Sequence, residues 1–138
     1  MRNNSQFTEK LRLSGLKLTK QRLSICKVLF DRNNTFHFTI NDLTKILQKK
    51  IDKKISLATV YNTIHTLKNK GYLKQISIDS DKSYFDTNIS AHHHFFDEKK
   101  NQLIDLRDQD MEKIKIKKKI PGKKIKSIEV LVKVNSAR

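Results

Sequence analysis

At 138 residues, with 36% hydrophobic side chains, no Trp and a formal net charge of +16, the chain has room for one domain or two small lobes, and two lobes suit its modest apolar content better. No apolar run approaches the ~18 residues a membrane span needs, the N-terminus lacks an apolar signal core, and the single Cys26 excludes an internal disulfide; the expectation is a cytoplasmic protein with no membrane partner. Residues 1–78 hold 16 basic and 4 acidic groups and residues 79–138 hold 14 and 10, so the first half is the one suited to a polyanion, since Lys and Arg gain affinity by releasing counterions from phosphates.

In chain order, residues 5–14 read as a weak first helix. Thr19 caps a second, with Leu23, Cys26, Leu29 and Phe30 on one face and Lys20, Arg22 and Lys27 on the other. The stretch RNNTFHF reads as a loop. Thr39 opens a third helix with Asp42 at the capping-box position and a stripe of Ile40, Leu43, Ile46 and Leu47; KKIDKK follows as a solvated connector. Ser56 opens the best-defined helix, SLATVYNTIHTLKNKG, with Leu57, Val60, Ile64 and Leu67 as the predicted buried stripe and Gly71 past its end. Its outward face is predicted to offer Ser56, Thr59, Asn62, Thr63 and Thr66, with Tyr61 beside them. The helix contains no acidic residue, which suits a helix that lies among phosphates. YLKQISI and KSYFD are two short strands around a turn at residues 79–81. Helices followed by such a ribbon make a winged helix-turn-helix. The candidate DNA contacts are Arg22, Ser56, Thr59, Tyr61 and Asn62.

The second half begins with SAHHHFFDEKK. HHHFFDEKKNQLIDL reads as a hairpin turning near Lys100-Asn101, and strand alternation sends His92 and His94 to one face and His93 to the other. Two imidazoles at i and i+2 can hold one zinc or iron ion, but need further ligands, for which Asp86 and His37 are both candidates. The competing reading is a polar turn. Met111-Glu112-Lys113-Ile114 is predicted as a short helix, Pro121-Gly122 as a turn, and residues 125–134 as a strand from the alternation of Ile128, Val130, Val132 and Val134. Three strands with one apolar face do not stand alone in water, so pairing with a second copy predicts a homodimer.

GLKLTKQRLSI, SLATVYNTI, KSYFDTN and the histidine run occur in the same order in the ferric uptake regulator family, which the chain resembles over roughly residues 10–134. The run KSYFDTNISAHHHFFDEKKNQLIDL most resembles the alphaproteobacterial iron response regulators. The resemblance implies an α+β chain: a winged-helix DNA-binding domain over residues 1–88 and a small α/β dimerisation and sensing domain over 89–138. It implies a homodimeric transcription regulator that binds an inverted repeat in double-stranded promoter DNA, and no enzyme. His37, Asp86, His92 and His94 match the family's inter-lobe metal ligands, for zinc, iron or manganese. His93 and Asp105 match a second metal or heme position, where Ala91 replaces a further histidine and no late histidine completes the set. Tyr61 matches a DNA-contacting tyrosine, and Asn62 stands where a basic residue is common. The structural zinc site of many members needs paired CxxC motifs, and DEKK occupies the place of the first. The branch implies iron and heme homeostasis with heme as the signal, although Cys26 is followed by Lys27 and no Cys-Pro heme motif exists. The alternative is a signal of zinc, manganese or peroxide in the same family. A hydrolase built on His92, His94 and Asp86 lacks a general base and oxyanion partner, and a purely architectural DNA-binding protein would not respond to metal or heme.

Overall fold

A computed structural model describes residues 4–137, in two compact units, Met1–Ile89 and Ser90–Arg138. The fold is α+β.

The first unit runs α1 (Asn4–Ser14), α2 (Lys20–Phe30), β1 (His37–Phe38), α3 (Ile40–Lys50), α4 (Leu57–Asn69), β2 (Lys74–Ser77) and β3 (Ser83–Asp86). Three of the helices start where a hydroxyl side chain caps them. Thr19 Oγ1 accepts from the Arg22 amide, Thr39 Oγ1 from Asp42 and Ser56 Oγ from Thr59, each satisfying a first-turn N–H that has no helical partner. α4 ends in a Schellman motif: Tyr72 N–H reaches Leu67 O and Gly71 N–H reaches Lys68 O, with Gly71 at φ 83°, a backbone angle that glycine adopts without strain. Leu11, Ile25, Leu29, Leu43, Leu47, Val60, Ile64 and Leu67 are fully buried and form the core with Phe38, Phe85 and Leu73.

The stripe on α4 differs from the expected one. Leu57 is half exposed, while Thr63, expected outward, is fully buried. A threonine tolerates this because its hydroxyl donates back to the Thr59 carbonyl at 2.7 Å and only its methyl meets the core. The buried set 60, 63, 64, 67 leaves Leu57, Ala58, Tyr61 and Asn62 as the outward surface.

The wing is a three-stranded antiparallel sheet in the order β1-β3-β2. β1 falls in the segment expected to be a loop. It pairs His37 with Asp86 and Phe38 with Phe85, and Thr87 secures its edge: Phe36 N–H donates to Thr87 Oγ1 and Thr87 N–H to Phe36 O.

The second unit holds β4 (His93–Asp97), β5 (Gln102–Leu106), a 3-10 turn (Asp108–Asp110) and β6 (Leu131–Val134), in the sheet order β5-β4-β6. The hairpin turns at Asn101, at φ 55°. β6 runs parallel to β4 and is shorter than the expected 125–134, because β4 starts at His93 and offers no partner to the residues preceding Val130. The helix expected at Met111–Ile114 is absent. Four residues close barely one turn, which does not offset the cost of nucleating a helix, and Arg107 and Asp110 cap a short 3-10 turn that ends just before them. The turn at Pro121-Gly122 is present, with Lys123 N–H on Ile120 O. Among the described residues no helix is long and apolar enough to cross a membrane.

Candidate functional site

Each unit carries part of the candidate ligand set. In the first, the β1–β3 register sets His37 opposite Asp86, with His37 Nε2 3.0 Å from Asp86 Oδ2. Asp86 is completely buried, and its Oδ1 accepts from the Asn88 amide at 2.8 Å. A carboxylate in such a place must be paired, hydrogen-bonded or on a metal, and here it is held beside an imidazole and a backbone N–H.

In the second unit, His92 and His94 lie with ring centroids 4.3 Å apart. Register pairs His94 with Asp105, which brings the carboxylate onto the same face. Asp105 Oδ1 is 3.1 Å from His92 Nε2 and 3.4 Å from His94 Nε2. The His92 tautomer follows from its other nitrogen: Nδ1–H donates to the Ser90 carbonyl at 2.7 Å, and a carbonyl can only accept. In the neutral ring Nε2 is therefore a lone pair, and it is aimed at an oxygen that is itself an acceptor. Two lone pairs at 3.1 Å repel unless a proton or a metal cation lies between them. The backbone carbonyl on the far nitrogen is also what usually orients a metal-bound histidine. The donor set His92, His94 and Asp105, with ligand atoms within 4.8 Å of one another, thus fits a divalent cation such as zinc, iron or manganese.

His93 points the other way and does something else. The Val130 N–H donates to its Nδ1 at 2.9 Å, which leaves Nε2–H facing Asp108 Oδ1 at 3.6 Å. Its ring ties the start of β6 to β4. The pairing of His93 with Asp105 expected for a second site is not what the sheet builds: Asp105 keeps company with His92 and His94. Cys26 is fully buried in the first unit's core, as its helical position suggested.

Of the candidate DNA contacts, Tyr61 and Asn62 lie on the exposed face of α4, Tyr61 at 52% exposure. Ser56 and Thr59 have a prior engagement in the helix cap, where Ser56 Oγ also donates to Thr59 Oγ1 at 3.0 Å. Arg22 turns its guanidinium to the Lys17 carbonyl at 2.7 Å on an exposed surface. Two residues that contact the candidate site residues escaped the sequence reading. Ser90 acts through its carbonyl, which no side-chain pattern reveals. His65 stands one turn beyond Tyr61, with ring centroids 4.2 Å apart, a spacing the i,i+4 rule would have shown.

A winged-helix unit with an uncharged outward helix face, and a small sheet with a histidine–aspartate group that could hold a metal ion, fit one class: a metal-responsive transcription regulator. Residues 13–134 match the ferric uptake regulator family, and the chain belongs to it. A peroxide-responsive repressor of Staphylococcus epidermidis is 29% identical over 104 residues, 75% of this chain and 67% of that protein. The ferric uptake regulator of Helicobacter pylori, described with three functional metal-binding sites, superposes with a TM-score of 0.71 at 19% identity, covering 98% of this chain and 92% of that one. That of Pseudomonas aeruginosa with manganese gives 0.68 at 19% identity, covering 96% and 98%. These structures carry the fold. None of these relatives supports heme as a ligand or the iron response branch in particular.

Proposed function

We propose that the chain is a homodimeric, sequence-specific DNA-binding transcription regulator whose affinity for an inverted-repeat operator is set by a divalent metal ion. His37 and Asp86 from the first unit and His92, His94 and Asp105 from the second are the proposed ligands. The observation that supports the reading is the grouping of His92, His94 and Asp105 donor atoms, with the His92 ring oriented by the Ser90 carbonyl. Each set offers the imidazole and carboxylate donors that zinc, iron or manganese take. Metal binding is the proposed control on the placement of α4, and half-site spacing makes DNA affinity sensitive to that placement. Dimerisation is supported by a three-stranded sheet that leaves Ile104 exposed on β5 and by exposed Ile116, Ile120 and Ile125 in the same unit.

For the signal, the peroxide-responsive relatives favour a metal ion or peroxide over heme. The His93 Nδ1 is committed to Val130, which removes one of the imidazole nitrogens a heme contact would draw on.

The test is selection of duplexes from a random-sequence pool by manganese-loaded and by metal-stripped protein. The expected result is enrichment of one two-fold-symmetric sequence by the loaded protein, lost in the His92→Ala, His94→Ala double variant. Equal recovery of all sequences refutes the reading. Iron-loaded protein treated with hydrogen peroxide separates the signals: loss of DNA binding with gain of one oxygen atom on a histidine peptide marks a peroxide sensor, and a saturable Soret shift with ferric heme would restore the heme reading.

A further inference from the structure

Within the first unit, a run of ring contacts leads from the His37–Asp86 pair to the exposed face of α4. Phe38 and Phe85 are register partners in the β1–β3 ladder and immediate neighbours of His37 and Asp86. Side chains alternate along a strand, so the two phenylalanines share the face opposite to the two candidate ligands. Their rings stack at 5.8 Å, interplanar angle 24°. Phe85 then meets His65 of α4 edge to face, at 5.5 Å and 88°. His65 in turn lies 4.2 Å from the ring of Tyr61, one turn back on the same helix. Phe38 and Phe85 are 2% exposed, whereas Tyr61 is half exposed, so the contacts run from a packed core to the outward surface.

Packed rings transmit displacement better than flexible chains do. An aromatic side chain has two torsions, and an edge-to-face or offset pair tolerates little change in angle before it loses contact. Interior packing leaves few voids to absorb a shift of one strand. A change in the His37–Asp86 separation moves β1 and β3 together with the phenylalanines they carry, and the first group that Phe85 meets on α4 is His65. The imidazole packs against the ring of the half-exposed Tyr61 on α4.

We propose that His65 is a positioning residue. It ties the orientation of Tyr61 to strand β3, so that occupancy of the His37–Asp86 half-site changes how α4 holds operator DNA. The inference rests on the proposed reading of His37 and Asp86 as metal ligands and of Tyr61 as a DNA contact.

The experiment measures the Kd for a duplex selected by the manganese-loaded protein, with and without manganese, and takes the ratio. Wild type, His65→Ala and His65→Phe are compared. Residues along a coupling network change such ratios by about 2- to 30-fold, and a reduction in this range is expected for His65→Ala. His65→Phe keeps a ring against Phe85 and is expected to retain most of the ratio, as a side chain that merely fills space on α4 would not require. Linkage adds a second readout: DNA raises manganese affinity by the same factor in wild type, and that gain falls in parallel in His65→Ala, while manganese affinity without DNA stays as in wild type. A wild-type ratio of one overturns the metal-responsive reading and this inference with it. A wild-type ratio above one that His65→Ala leaves unchanged overturns the inference alone, and so does a His65→Phe protein that melts like wild type yet loses the ratio as Ala does.

Discussion

The lone-pair conflict between His92 and Asp105 makes a prediction with opposite signs in two conditions. In Asp105→Asn the replacement is isosteric, and the amide N–H₂ can donate to the His92 Nε2 lone pair across the present 3.1 Å. With the ring neutral, a repulsive contact becomes a hydrogen bond with a net contribution of about 1 kcal/mol. The metal-free variant should therefore be more stable than wild type by roughly that amount. Metal reverses the order. At a hundredfold excess over its Kd, metal stabilises wild type by about 2.7 kcal/mol; a variant with hundredfold weaker affinity gains only about 0.4 kcal/mol at the same concentration. Hydrogen exchange at the β4 amides is the suitable assay, because it reports local opening of this sheet rather than unfolding elsewhere. The His94 amide, bonded to Val130 O, is a direct probe. An Asp105→Asn protein that is less stable than wild type without metal refutes the reasoning, since the carboxylate would then be receiving protons from the rings rather than opposing them.

Three further outcomes are expected. Tyr61→Ala should weaken operator binding roughly tenfold or more with little change in stability, and equal affinity of wild type for operator and scrambled DNA in a competition assay would remove the sequence-reading role. Ser56→Ala should cost about 1 kcal/mol through the lost cap, whereas Ser56→Asp keeps a capping oxygen but puts negative charge at the end of α4 proposed to face DNA; denaturation and anisotropy should find Asp stable but poor at binding DNA, and tight binding by Asp would place Ser56 away from phosphates. The His65 pKa is held below its usual value of 6.5, first by burial and then by Lys68. The unfolded chain thus takes up this proton before the folded one, so His65 subtracts stability as pH falls below 6.5, fully once the folded pKa is passed; His65→Phe should flatten that part of a denaturation-against-pH curve.

Elements with local signals were legible in the sequence, and those made by distant pairing were not. Thr19, Thr39 and Ser56 each precede a periodic apolar run, and each caps a helix. β1 has no such signal: two residues after an Asn pair become a strand only because β3, some fifty residues later, offers a ladder. The same cause truncates β6, expected from residue 125, because β4 pairs only with Leu131–Val134. On α4, counting apolar residues put Leu57 in the core and left Thr63 out, because hydropathy treats a hydroxyl as polar even when the Thr59 carbonyl satisfies it.

The three histidines show how far pattern alone reaches. Alternation separated His92 and His94 from His93, and that division holds in the sheet. It could not say what each face does, because the deciding partners are backbone groups. A carbonyl at Ser90 makes His92 an acceptor at Nε2, and an amide at Val130 makes His93 an acceptor at Nδ1. The same side chain therefore takes opposite tautomers at adjacent positions, one with its lone pair facing a carboxylate and one with its lone pair already satisfied. From this follows a division of labour that residue identity does not show. Replacing His93 should loosen the attachment of β6 to β4 and leave the proposed cation site its donors, whereas replacing His92 should remove a proposed donor and leave the strand pairing in place.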